Sequence, residues 1–323
     1  MGNMTRKEIA ASLNVSPAAV SLVLNNKKGV GEAKRKEIQK ALLENDYQIV
    51  SEKKLLFVTY RFHGKLVEEN KGFVSVIFES IQAHCKQIGY ELSLVVCDSN
   101  LEQVLSSLDQ AQYQGMIFLG TELQREHFHL FNAITLPYVV LDNNMRGVPC
   151  NTIGIDNEQN VNLALSLCKV SPFLYLKSSL WTGNFDERSE AVARYAAIHN
   201  LEFQTIEVDP TLLGSYRSIK KRGLQTYPNF VFADNDIIAL GAMKAFVELG
   251  IKLPEDMALV GFDDIAFAAV SVPSLTTVSV PKQLIGEIVV SQILKVIASR
   301  TFRRVKTQVA GELIIRESAK LPQ

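Results

Sequence analysis

The chain has 323 residues, 47% hydrophobic and 21% charged, with 34 Lys and Arg balancing 34 Asp and Glu. That is material for two or three packed cores; no apolar run is long enough to span a bilayer, and the N-terminus lacks the apolar core of a secretion signal. Four scattered cysteines (Cys85, Cys97, Cys150, Cys168), with neither CxxC nor metal-ligand spacing, argue for reduced thiols in a cytoplasmic protein and against a disulfide framework.

The zero net charge hides an asymmetry. Residues 1–54 carry ten Lys and Arg against six Asp and Glu, a charge of +4, which leaves −4 on the remainder. A basic head on a mildly acidic body places any polyanion at the head.

The head reads as three short helices. In "TRKEIAASL", Thr5 is an N-cap with Glu8 three residues on, the capping-box spacing, and Ile9, Ala10 and Leu13 share a face. After the turn "NVS", Ser16-Pro17 starts a second helix from Pro17 to Leu24 that buries Val20, Val23 and Leu24. A third helix, about Glu32 to Glu44, presents Ile38, Ala41 and Leu42 to the same core. Two short helices joined by a tight turn and braced by a third make a helix-turn-helix, whose second helix enters the DNA major groove.

From Leu55 onward, apolar runs alternate with amphipathic stretches. "LLFVTY", "ELSLVV", "GMIFLG", "YVVLD", "FLYL", "FQTIEV", "NFVFA" and "MALVGF" read as strands, and Gly72–Ile88, Asp186–Ile198 and Asn235–Leu249 as helices. Buried strands separated by helices predict parallel sheets, with ligands held at the carboxyl ends of the strands. No GxSxG, HExxH or P-loop spacing points to an enzyme. "HFH" (His127–His129) reads as a solvated helix face, since period-two spacing on a helix splays the rings.

The stretch "MTRKEIAASLNVSPAAVSLVLNNKKGVGEAKRKEIQKALLENDY" resembles the N-terminal domain of the lactose-repressor family of transcription regulators. The body resembles that family's effector domain in "GFVSVIFESIQAHCKQIGYELSLVV", "VFADNDIIALGAMKAFVELGIKLPEDMALVGFDD", "PSLTTVSVPKQLIGE" and "ELIIRES". The resemblance implies a small all-α helix-turn-helix head, residues 1–48, and an α/β body, residues 55–323. The body would be two Rossmann-like lobes of the periplasmic-binding-protein-like type I fold. Lobe 1 would hold about 55–156 and 281–309, lobe 2 about 157–280 and 310–323, with crossings near Asp156, Ser279 and Ala310. Where the family usually has a Gly-His pair, this chain has "SLCKVSPFLYLKSS", so that edge of the cleft is expected to be remodelled.

The implied function is a homodimeric, non-enzymatic, cytoplasmic regulator, a repressor on family grounds. It would need neither cofactor nor metal, and would bind a double-stranded DNA operator under control of a small molecule, a sugar or sugar derivative. A purine or another corepressor is the alternative effector; a sensor with a degenerate head is the alternative protein. On the DNA side the candidate contacts are Thr5, Ser16, Pro17, Ala18, Ser21, Leu22, Asn25 and Lys28. Ala19 and Leu22 stand where the family usually has Thr and Arg. Apolar Pro17, Ala18 and Leu22 lack bidentate hydrogen bonds but can touch thymine methyls, so phosphate contacts are expected to supply much of the affinity.

In the cleft the family positions fall on Phe73, Asp156, Arg188, Phe232, Asn235 and Asp263. Trp181, in "SSLWTGN", is a candidate for the cleft mouth. An arginine fork, carboxylates and aromatic planes suit a polar ring such as a sugar. Phe73 fits a core position equally well, and Asp236 reads as the first residue of a helix.

The joint departs from the family. About twenty residues usually follow the closing Tyr, including a hinge helix with a minor-groove leucine wedge. Here "YQIVSEKKLLF" runs almost directly into the first strand. With the hinge absent, wedge-driven kinking is expected to be absent too. Seven joint residues reach at most about 25 Å; control would then come from moving the two joint roots of a dimer, whose heads meet major grooves roughly 34 Å apart.

Overall fold

The computed structural model describes residues 4–25, 27, 29–47, 53–98, 100–223, 227–299 and 304–320. Lys28 and joint residues 48–52 lie outside the described residues. The chain divides into two compact units, Met1–Lys54 with Ala111–Gln114, and Leu55–Gln110 with Gly115–Gln323.

In the first unit, α1 (Arg6–Ser12) opens with the capping box that its sequence predicts. Thr5 Oγ1 accepts the Glu8 N–H, and the Glu8 carboxylate accepts the Thr5 N–H at 2.6 Å. Asn14 then takes a left-handed φ of 54°, which Asn tolerates better than most residues, and reverses the chain within one turn. Helix α2 (Pro17–Leu24) is capped by Ser16, whose Oγ accepts the Ala19 N–H at 3.1 Å. Helix α3 (Glu32–Glu44) closes the core of Ile9, Ala10, Val20, Val23, Ile38 and Leu42. Leu13, Leu24 and Ala41 pack at its rim, half-buried, because so small a domain cannot enclose every apolar side chain.

The second unit runs β1 (Lys54–Arg61), α4 (Lys65–Glu69), α5 (Lys71–Gln87), β2 (Glu91–Asp98), α6 (Leu101–Ser107), β3 (Gly115–Leu119), β4 (Tyr138–Leu141) and β5 (Thr152–Ile155). It continues with α7 (Asn157–Leu165), β6 (Phe173–Ser178), α8 (Gly183–His199), β7 (Phe203–Val208), α9 (Leu212–Arg222), β8 (Phe230–Ala233), α10 (Asp236–Glu248) and β9 (Ala258–Asp263). Helix α11 (Ala266–Val270), β10 (Thr276–Ser279), α12 (Lys282–Ala298), β11 (Lys306–Val309) and β12 (Glu312–Ile314) complete it. All eight strands read from the sequence are present. Four short ones (β5, β10, β11 and β12) join them.

The strands form two six-stranded sheets, ordered β11-β5-β4-β3-β1-β2 and β12-β10-β9-β8-β6-β7. The registered pairings are parallel except β10 with β12. The chain changes sheet after β5, after β10, where α12 packs back on α5, and between β11 and β12. Each sheet is therefore completed by late, distant segments. The central strands, such as Phe230–Ala233 and Gly115–Leu119, are buried throughout, as expected of sheets covered on both faces.

"HFH" behaves differently from the solvated helix its sequence suggests. Arg125–Ala133 is a 3₁₀ segment, and the His127 ring packs edge-on against Tyr60 at 5.4 Å and Phe62 at 5.7 Å, while His129 is exposed. The four cysteines are buried and free of disulfides, and burial pushes Cys85 and Cys97 up to about 11.

Candidate functional site

On the head, α2 turns Val20 and Val23 inward and leaves the opposite face to solvent. Ser16, Pro17, Ala18 and Asn25 are exposed, and Ser21 and Leu22 half-exposed. Pro17, Ala18, Ser21, Leu22 and Asn25 share one face at helical spacing, and Ser16 is the N-cap that precedes it; Thr5 sits apart, exposed at the start of α1. Ala18 is thus outside the core. Leu22 lies over Gly29, where an added Cβ would stand 3.3 Å from Leu22 Cδ1; Gly29 itself has φ 122°, a backbone that favours glycine.

The second set of residues converges where the carboxyl ends of the two sheets face each other. Arg188 on α8 is 3% exposed. Its Nε donates to Asn157 Oδ1 at 2.9 Å, Nη1 to the Asp234 carbonyl, and Nη2 to Asp263 Oδ1 at 3.5 Å. Its guanidinium lies on the Phe262 ring, 3.6 Å from the centroid. Asp263 ends β9 in an unusual backbone, φ 107°, followed by Asp264 at φ 50°. Two non-glycine residues there cost about 1–3 kcal/mol each. The turn is held from three sides: Lys282 Nζ takes both carbonyls, Arg316 binds the Asp264 carboxylate at 2.8 Å, and Arg188 faces Asp263.

Across the gap, the first lobe supplies Asn70, Phe73, Thr121 and Asp142. Asn70 Nδ2 donates to Asp263 Oδ2 at 2.9 Å, while Asn70 Oδ1 is buried without a hydrogen-bond partner. Asp142 is 4% exposed and accepts from the Thr121 hydroxyl at 2.6 Å and from Asn184 Nδ2 at 2.8 Å. Among the described residues, no cation comes within ion-pair distance of Asp142. Burial pushes its carboxyl up to about 6, against the Thr121 and Asn184 hydrogen bonds. Burial likewise drives Asp234 to about 6 and Asp236 to about 8. Glycine is required at 261, where a Cβ would sit 2.2 Å from Asp236 Oδ1.

A raised carboxyl is better tolerated protonated, so stability from this source is present at low pH and falls as pH rises through the folded value. Wild type should therefore lose stability relative to Asp142→Asn between about pH 4 and 7, by on the order of 1–3 kcal/mol. Urea midpoints of both proteins at pH 4 and 7.5 check this; parallel profiles would refute it.

The cleft lining gathers Leu66, Asn70, Phe73, Asp142, Phe185, Arg188, Asn235 and Asp263, and the space left is about 30 Å³, about one water's share. The lobes are thus shut on one another, and a ring-sized ligand needs them to part. Of the residues expected here, Phe73, Arg188, Asn235 and Asp263 line the cleft. Asn235 Oδ1 also caps α10 by accepting the Ile238 N–H at 2.9 Å.

Three others are placed elsewhere. Phe232 is fully buried in the sheet core, stacked on Tyr175 at 5.8 Å. The Asp156 carboxylate caps α7, accepting the Gln159 N–H at 3.0 Å. Trp181 lies beneath the Arg125 guanidinium, 5.3 Å away, beside a separate small hollow with Asn143 and Asp186. Asn70, Asp142 and Asn184 were not anticipated; of these only Asp142, a carboxylate ending the strand "YVVLD", carried a readable signal. Among the described residues, no three His, Cys, Asp or Glu side chains converge on a metal position, and no helix is long and apolar enough to cross a membrane.

A basic head with an outward-facing second helix, and a body whose two lobes meet over polar side chains, define a DNA-binding regulator with a ligand-sensing domain. Residues 5–48 match the model of bacterial regulatory proteins of the lacI family, and residues 173–319 that of the periplasmic-binding-protein-like domain. The chain is 26% identical over 335 residues to the HTH-type transcriptional repressor PurR of Haemophilus influenzae (strain PittEE), covering 98% of each protein. It is also 26% identical over 328 residues to the ribose operon repressor of Halalkalibacterium halodurans, covering 98% of this chain and 97% of that one. Its fold matches the Lac repressor dimer bound to operator and the anti-inducer ONPF, with TM-score 0.74, 20% identity, and 98% and 99% of the two chains covered. The chain belongs to the lacI family of bacterial regulatory proteins, a family of transcription regulators and not of enzymes.

Proposed function

We propose that this regulator is a homodimeric repressor whose operator affinity is set by a neutral, hydroxyl-rich small molecule, sugar-like in chemistry, bound between the lobes. The observation that carries the reading is the meeting of Asn70 from one lobe with Asp263 and Arg188 from the other. A ligand inserted there must replace those bonds, so its presence changes how the lobes sit. The unmet capacity favours donors: Asn70 Oδ1 lacks a partner, and Asp142 and Asp263 accept. Hydroxyls meet that demand; a phosphate or carboxylate would face Asp142 and Asp263 with only Arg188 and Lys282 to offset them. The aromatic walls Phe73 and Phe185, and the likeness to a PurR repressor, favour a purine as the second reading.

Self-association is supported by apolar side chains left in solvent on both lobes. Leu94 and Val96 on β2 are about half exposed, and Phe267, Val270 and Val272 on and after α11 are 69%, 72% and 89% exposed. Phe267, Val270 and Val272, three large apolar side chains exposed within six residues of chain, are of the kind that marks an interaction surface. Phe267→Glu with Val270→Glu should halve the sedimenting mass and weaken operator binding by about 10²-fold or more, as two heads lose their linkage. An unchanged mass would place the interface elsewhere. Since the sequence leaves only residues 48–53 between Tyr47 and β1, the coupling in this reading runs through the spacing of joint roots and needs no hinge helix.

The test is binding of the purified chain to DNA upstream of its own gene and to a scrambled duplex, followed across salt with and without a panel of sugars, sugar phosphates and purines. Preference of 10³-fold or more for one duplex, altered by a neutral sugar, supports the reading. Alteration by a purine alone selects the second reading. No preference at any salt concentration refutes an operator in that region.

A further inference from the structure

We propose that the head reads its operator through thymine methyl groups: Pro17, Ala18 and Leu22 contact C5-methyls in the major groove, selecting A·T pairs without a bidentate base contact. The inference rests on the reading of the head as a DNA binder and adds what it recognises.

The helix "PAAVSLVL" holds no Arg, Lys, Gln, Asp or Glu, the side chains that pair with guanine, adenine or cytosine edges. Its polar groups are largely turned on the helix itself. Ser16 Oγ caps the first turn. Asn25, among the described residues the one amide on the outward face, sits at the C-terminal end with Nδ2 donating to the Ser21 carbonyl at 2.8 Å and lying 3.4 Å from Ser21 Oγ. In a helix-turn-helix, base edges are met by the N-terminal part of the second helix. Here that part offers exposed Pro17 and Ala18; Leu22, one turn further along the same face, is half-exposed. Leu22 Cδ1 lies beside Gly29, where an absent side chain leaves room for it.

In the major groove an apolar side chain is complementary to one feature alone, the thymine methyl; it leaves the guanine and cytosine polar groups unsatisfied. Small Ala18 lets the helix approach closely. Discrimination then arises from buried methyl area and from desolvation of the wrong base. Ser21, with a hydroxyl that suits any base or a phosphate, adds position more than choice.

The experiment uses the full-length chain and a randomised duplex library, selected at fixed salt. Selected half-sites should carry thymine at two or three steps. Replacing each such thymine by deoxyuridine, which removes the methyl alone, should weaken binding about fourfold per methyl with an unchanged salt slope. Leu22→Ala should abolish the response to deoxyuridine at one step while the others keep theirs; because deoxyuridine is tested on the unaltered chain, the result does not depend on that variant folding. Selection of G·C at these steps, indifference to deoxyuridine, or absence of any selected sequence would each overturn the inference while leaving salt-dependent DNA binding in place. Failure to bind any duplex at low salt would overturn the DNA-binding reading itself.

Discussion

Arg188→Met should destabilise the body by about 3–5 kcal/mol and abolish any effect of a small molecule on DNA binding, while the head keeps its own affinity for DNA. The guanidinium is 3% exposed and is the cation within ion-pair distance of the Asp263 carboxylate, which burial pushes upward and Arg188, then Lys282, draw back. Removing one partner of a buried pair strands the other, and the loss is of that size. Asn157 Oδ1 and the Asp234 carbonyl lose a donor at the same time. Arg188→Lys should not rescue, since an ammonium cannot reach three acceptors in one plane while lying flat on Phe262. Urea unfolding and operator titrations with ligand provide the check. A Met variant as stable and as ligand-responsive as wild type would remove Arg188 from the centre of the cleft.

Glu122→Gln should cost about 2–6 kcal/mol, although the residue touches no expected ligand position. Glu122 is fully buried after β3, and its carboxylate accepts four backbone N–H groups: His63 at 3.0 Å, Gly64 at 2.9 Å, Leu66 at 2.9 Å and Val67 at 3.1 Å. Helix α4 begins at Gly64, which has no capping side chain, so Glu122 caps it from another part of the chain. A glutamine turns an NH₂ toward two of those donors and leaves each unsatisfied at about 1–3 kcal/mol. Burial works against the charge, but the His63 side chain and the N–H groups of Val67 and Gly64 outweigh it and hold the carboxyl at about 2. A depressed acid gives stability that is present above its unfolded value near 4.5 and lost as pH falls toward 2. The wild-type protein should show that acid-side loss and Glu122→Gln should lack it. Denaturation at pH 7, 4 and 2.5 separates the cases; equal stability at pH 7 would refute the cap.

The sequence exposed features that depend on near neighbours. Thr5 with Glu8, and Ser16 with Pro17, announce their helices because a cap bonds within three residues. The long apolar strands announce themselves by composition. What stayed hidden depends on distant partners: β10, β11 and β12 are three or four residues of mixed polarity, stabilised by register with strands far away in sequence. Glu122 looks like an ordinary surface acid until α4 folds against it. Family positions located Arg188, Asn235 and Asp263 in the cleft, yet Phe232, on a strand buried along both faces, belongs to the core, and Asp156 is occupied in capping its own helix. A strand end marks where a residue stands; which way its side chain turns is decided by tertiary packing.

The late completion of both sheets also orders events during synthesis. The first sheet lacks its last strand, β11, until residue 309 has been added, and the second lacks β12 until residue 314. Ile285, Val289 and Ile293 of α12, which belong to the body's main core, arrive almost as late. The three-helix core of the head is contiguous and complete by Tyr47. At translation rates of about 5–20 residues per second, it precedes a finished body by roughly 10–50 s. A ribosome that stops early therefore releases a DNA-binding head trailing two unfinished sheets, able to occupy DNA and deaf to any signal.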